Sequence, residues 1–390
     1  MTVICQKRSV FVLGSSASSG ILLFAAVLLF VCLNIADKLI VGRFFYSGVN
    51  PLWSWYFVAR MGVLAFVSGL ALLAVVNWED AKIPTEEKPE LLSKHLYVGF
   101  LAVSAAFILL MAASPATLSL LVRSEGPVEK LESALLLFSS AMFVALLFKF
   151  RALPRSLGTL FPLGTILFAV AFFLMGMEEE SWFQMIVHYP TPDWIGKNEQ
   201  GEANLHNFAS DRFNIAYYTS AFVFLVLIPF VNDRTRIFKN FPGIVFFLAG
   251  RSIIFFGAIV SCMYYTHWAS PSAQASFFMT LFILLYYQIQ IWKGRMKPVV
   301  DNYWLPSLIV VCLLSQIFVH IQGAVVVSWD ALEWFHRTSP QVYRTKRLEF
   351  GWDIAEYREF FIPLAYALYS LEMFRKAKKL TENNPEASKV

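Results

Sequence analysis

Three consecutive carboxylates, Glu178, Glu179 and Glu180, close an apolar run in FFLMGMEEESWFQ, and Trp182 and Gln184 follow at once. Further on, GEANLHN gathers Glu202, Asn204, His206 and Asn207. Carboxylate and imidazole together suit proton transfer, because imidazole titrates near neutrality and a carboxylate can take up or return a proton. On this basis Glu178, Glu179 and His206 are the candidate catalytic residues. Glu179, His206 and Glu202 are also a candidate ligand set for a divalent metal, although the chain has no HxxxH or HExxH spacing to strengthen it. Gln184, Asn204, Asn207 and Trp182 are expected to orient a substrate. Arg251, in FFLAGRSIIFF, is expected to hold a phosphate or to pair with a carboxylate of the Glu run.

Helix geometry bears on the Glu run directly. Successive residues point about 100° apart, so one glutamate reaches water while another faces the bundle. Gln184 lies four positions after Glu180 and shares its side of a continuing helix. The run falls at the C-terminal end of an apolar segment, where the helix dipole disfavours anions. A carboxylate at membrane depth there is a functional candidate. Glu129 and Glu132, in EGPVEKLE, have a plainer reading, since glutamates in the first turn of a helix favour its positive end. A lone histidine in a polar loop, such as His206, also has the plainer reading of a structural or solvated residue.

The combination EEESWFQ, TPDW and NEQGEANLHN resembles a family of uncharacterised bacterial multi-pass membrane proteins with patterns such as EEISWGQ and QGETNLHN. The similarity covers the middle third of the chain best. It departs where Glu180 and Phe183 stand in place of an apolar residue and a glycine. It implies that Glu178, Glu179, Ser181, Trp182, Gln184, Glu202, Asn204, His206 and Asn207 act as one unit, and it implies no activity.

The elements that must position these residues follow from composition. Of the 390 residues 57% are hydrophobic and 15% charged, against about 25% charged in a soluble domain. The expectation is an all-α, polytopic membrane helix bundle forming one domain over 1–390. Runs long enough to span, roughly 20 apolar residues each, fall at about 11–33, 53–77, 95–115, 131–149, 157–177, 214–231, 244–265, 274–292, 304–326 and 360–374, about ten in all. Most of the 32 Lys and Arg residues fall on one set of alternate connections and most of the 27 Asp and Glu residues on the other. The positive-inside rule then predicts both termini in the cytoplasm, in a bacterial inner membrane. The net charge of +5 reflects that asymmetry and does not point to nucleic acid. Two long aromatic-rich connections, 178–213 and 327–359, are expected to form an interfacial cap on the outer side. In the second, SWDALEWFHR and GWDIAEYREFF present acidic residues at helical spacing, among them Glu356 and Glu359.

Cys5, Cys32, Cys262 and Cys312 have no CxxC pairing and are read as packing residues. Phosphate-loop, dinucleotide and nucleophile-elbow glycine patterns are absent, which argues against nucleotide-driven or GxSxG chemistry. The leading expectation is an interfacial hydrolase or transferase acting on a membrane lipid or lipid-linked substrate. The alternatives are an ion-coupled transporter with an acidic vestibule and a non-catalytic assembly or sensory subunit.

Overall fold

The computed structural model describes residues 16–42, 54–78, 94–122, 126–150, 157–190, 204–205, 208–265, 267–298, 301–328 and 350–382. These residues are predominantly helical, with no strand among them. The helices are α1 (Ser16–Val41), α2 (Trp55–Val76), α3 (Lys94–Ala113), α4 (Pro115–Val122), α5 (Pro127–Lys149), α6 (Leu160–Glu179), the short α7 (Gln184–Val187) and α8 (Ser210–Phe222). A π-turn over Val223–Leu227 carries α8 into α9 (Ile228–Thr235), and α10 (Pro242–Phe247), α11 (Arg251–Ala258), α12 (Pro271–Trp292), α13 (Trp304–Ser328) and α14 (Phe350–Glu382) complete the order.

Seven helices are long and apolar enough to cross a membrane, so the protein has the build of a multi-pass membrane protein. Two more apolar helices, Leu96–Leu110 and Arg251–Ser261, are shorter. The expectation of ten uniform spans is therefore too simple. The expected span 244–265 is broken: α10 ends at Phe247, α11 starts at Arg251, and the stretch Arg251–Ser261 rises only about 16 Å against roughly 30 Å of hydrocarbon. Every described residue from Arg251 to Gln274 is nevertheless buried. Non-helical chain at this depth is tolerated because protein, not lipid, surrounds it.

The break between α10 and α11 is held by α14. The Tyr369 hydroxyl donates to the Phe247 carbonyl at 2.7 Å, Lys376 Nζ donates to the Leu248 carbonyl at 2.6 Å, and the Gly250 N–H donates to Glu372 Oε1 at 2.8 Å. These bonds satisfy the backbone groups that a helix end leaves open. A Cβ at Gly250 would stand 2.9 Å from the Glu372 carboxylate, so a larger residue there must displace that side chain.

At the other extreme, α1 buries only 11% of its apolar window. It is tied to α2 by a buried ion pair, Arg60 Nη1 to Asp37 Oδ2 at 2.5 Å, while Arg60 Nη2 reaches the Ala269 carbonyl at 2.6 Å. Arg60 thus places a buried, paired charge inside the second expected span.

Candidate functional site

The Glu run ends α6 and begins a sharp reversal. Ser181, Trp182 and Phe183 take φ values of 43°, 56° and 62°, three left-handed non-glycine residues in succession, before α7 resumes at Gln184. A left-handed non-glycine residue costs roughly 1 kcal/mol. Such strain is held only where the surroundings over-determine it, and the surroundings here are specific. Glu178 Oε1 accepts from Trp182 Nε1 at 2.8 Å, and its Oε2 accepts from the Leu205 N–H at 2.6 Å. Asn204 Nδ2 donates to Ser181 Oγ at 3.1 Å, and the Tyr189 hydroxyl reaches the carbonyls of Ser181 and Trp182, each at 3.2 Å. Ser181, Gln184 and Asn204 are all buried.

Glu178 therefore commits both oxygens to shaping the reversal, which is a positioning task. Glu179 points elsewhere, as the 100° step requires. His206, Asn207 and Glu202 lie outside the described residues. Among the described residues no group of three or more His, Cys, Asp and Glu is disposed to hold a metal.

Glu179 meets a second set of carboxylates. Glu132 of α5, 2% exposed, lies within Coulombic range of Glu179, Glu356, Glu359 and Glu129. Its Oε1 has no hydrogen-bond partner among the described residues. The Tyr217 hydroxyl, also buried without a partner, senses Glu179, Glu132 and Glu359. Next to it, the Tyr218 hydroxyl donates to Glu359 in a short hydrogen bond. Four helices, α5, α6, α8 and α14, converge to build this cluster.

Small residues set the approach of α5 to α6. Ser133 Oγ donates to the Gly176 carbonyl at 2.8 Å, and Ser140 Oγ donates to the Ala169 carbonyl at 2.7 Å. A Cβ at Gly176 would meet Leu136 and Leu137 at 3.1–3.2 Å. This seam of small residues lets two backbones approach closely, as membrane helices commonly do. It also fixes Glu132, next to Ser133, beside the end of α6.

Behind the carboxylates lies Arg358, 1% exposed, with its guanidinium carbon 3.5 Å from the Tyr218 ring and 4.1 Å from the Tyr264 ring. Tyr264 belongs to the irregular chain after α11. Its position is fixed by Gln316 of α13, which accepts from the Tyr264 N–H at 2.9 Å and donates to its carbonyl at 2.7 Å. His320 shares a 2.8 Å contact with Gln316 Nε2.

No protein-family model matches the chain, and no curated protein or solved structure is detectably similar to it.

Arg251 is not part of this cluster. Its Nε and Nη2 bind Asp233 at 3.2 and 2.9 Å, and the Tyr287 hydroxyl adds a third bond to that carboxylate at 3.0 Å. Asp233 lies roughly 20 Å along the α8–α9 helix from Tyr218, given about 1.5 Å rise per residue. The expected partnership of Arg251 with the Glu run is corrected accordingly: the broken helix begins at the opposite end of the bundle from Glu179. Conversely, Glu132 read as an ordinary first-turn glutamate but is buried in the cluster. Arg358 and Tyr218 were not singled out at all. The signal available was the i, i+3 pair Glu356 and Glu359 flanking an arginine just before the apolar stretch FFIPLAYALYSL of α14.

Proposed function

We propose that this membrane protein is a proton-coupled carrier, with Glu132, Glu179, Glu356 and Glu359 as its proton-binding group. In the proposed orientation both termini lie in the cytoplasm of a bacterium and the cluster faces the outer leaflet of the inner membrane. The observation that supports this reading is Glu132, 2% exposed, with an unpartnered oxygen and further carboxylates around it. One ionised carboxylate at membrane depth costs about 3 kcal/mol on insertion scales. Neighbouring like charges raise that cost, so the cluster is relieved by taking up protons and recharges as it loses them. The irregular buried chain after α11 adds support, because its Tyr264 packs on Arg358 beside Glu359 and carriers place non-helical segments against their binding sites.

An interfacial lipid-modifying enzyme is the second reading. It is favoured by the strained reversal at 181–183 beside Glu179, since such strain clusters at active sites. Purified protein in liposomes of phosphatidylethanolamine and phosphatidylglycerol separates the two. With candidate carboxylate and phosphate co-substrates supplied outside, the carrier reading expects an internal pH dye to report proton movement under an imposed gradient, reduced at least tenfold in a folded Glu132→Gln variant. The enzyme reading expects altered lipid species by mass spectrometry and no proton movement. Wild-type protein that leaves every imposed proton gradient untouched ends the carrier reading.

A further inference from the structure

Arginine offers oxyanions a side-on fork made of Nε and Nη2, whose two parallel N–H groups match a carboxylate or phosphate. This protein uses that fork once already, on Asp233, through Nε and Nη2 of Arg251. Arg358 presents the same two nitrogens, and neither has a hydrogen-bond partner among the described residues. Glu359, its neighbour in sequence, accepts from the Tyr218 hydroxyl and makes no hydrogen bond to either nitrogen. Arg234 is also buried with open nitrogens, but its Nη2 is taken by the Val76 carbonyl, so its fork is not free. A guanidinium that is 1% exposed with two open donors forfeits hydration on that edge. Two aromatic faces, those of Tyr218 and Tyr264, hold its plane in position.

We infer that the Arg358 fork, walled by Tyr218 and Tyr264 against the irregular chain after α11, is a binding site for an oxyanion group, a carboxylate or a phosphate. The aromatic walls favour an anion carrying an apolar body. Such a ligand completes the guanidinium as Asp233 completes Arg251. The inference supplies the co-substrate class of the proposed carrier and rests on that reading for its transport role alone. Binding without proton movement would keep the site and discard the carrier.

Three probes test it on the full-length detergent-purified protein, read by intrinsic tryptophan fluorescence and thermal unfolding: benzoate, inorganic phosphate, and nanodiscs of phosphatidylcholine with or without phosphatidylglycerol. A saturable response to benzoate or phosphate supports a soluble oxyanion ligand. A response confined to phosphatidylglycerol supports a lipid headgroup at the same fork. Arg358→Lys, which keeps the charge and loses the fork, is expected to weaken the response at least tenfold. If that variant does not fold, Tyr264→Leu removes one wall and is expected to weaken it about fivefold. No response from the wild type to any probe overturns the inference, as does undiminished binding in the folded Arg358→Lys variant or, where that fails to fold, in Tyr264→Leu.

Discussion

Phe183 carries a left-handed backbone that a Cβ opposes, in a residue that is 38% exposed. Phe183→Gly should remove roughly 1 kcal/mol of strain and raise the unfolding temperature in detergent. A lower temperature would mean that the ring's contacts outweigh the backbone conformation. At this scale the sequence was informative about residue types and poor at partners. MEEESW reads as part of a continuing helix, whereas the chain reverses at 181–183, and nothing in the spacing reveals that Glu178 holds Trp182 and Leu205 while its neighbour Glu179 faces Glu132. Those assignments come from the direction in which each side chain leaves α6, and from the seam that brings α5 alongside.

Among the elements, the passage through α10 and α11 is the one that hydropathy misread most plainly. Its residues are apolar on both sides of the break, so a sliding average sees one continuous span. What divides it is a set of distant side chains, Tyr369, Glu372 and Lys376, that satisfy the backbone in place of helical bonds. Gly250→Ala would force a methyl to within 2.9 Å of the Glu372 carboxylate. It should destabilise the protein by about 1–3 kcal/mol, measured as a lower unfolding temperature. In the carrier reading it should also slow proton movement in liposomes, because the joint between the two half-helices is displaced. Unchanged stability would show that Glu372 yields freely and is not a fixed pin. The long apolar helices, by contrast, were legible because length and composition suffice to specify them.

For the whole molecule, the Asp37–Arg60 pair decides whether α1 belongs to the bundle, since little else buries that helix. Removing one partner of a buried pair typically costs about 3–5 kcal/mol. Asp37→Leu is therefore expected to lower the unfolding temperature strongly, and the double variant Asp37→Leu with Arg60→Met to recover most of the loss. Two singles and a double that add without coupling would show the pair to be incidental. The same pair bears on how the chain is made. Arg60 also holds the Ala269 carbonyl, a contact separated by 209 positions. At a synthesis rate of about 5–20 residues per second, roughly 10–40 s pass between the two leaving the ribosome. Throughout that interval Asp37 is the partner already synthesised, so α1 and α2 can enter the bilayer with the buried Arg60 already charge-paired and wait for the later helices to dock.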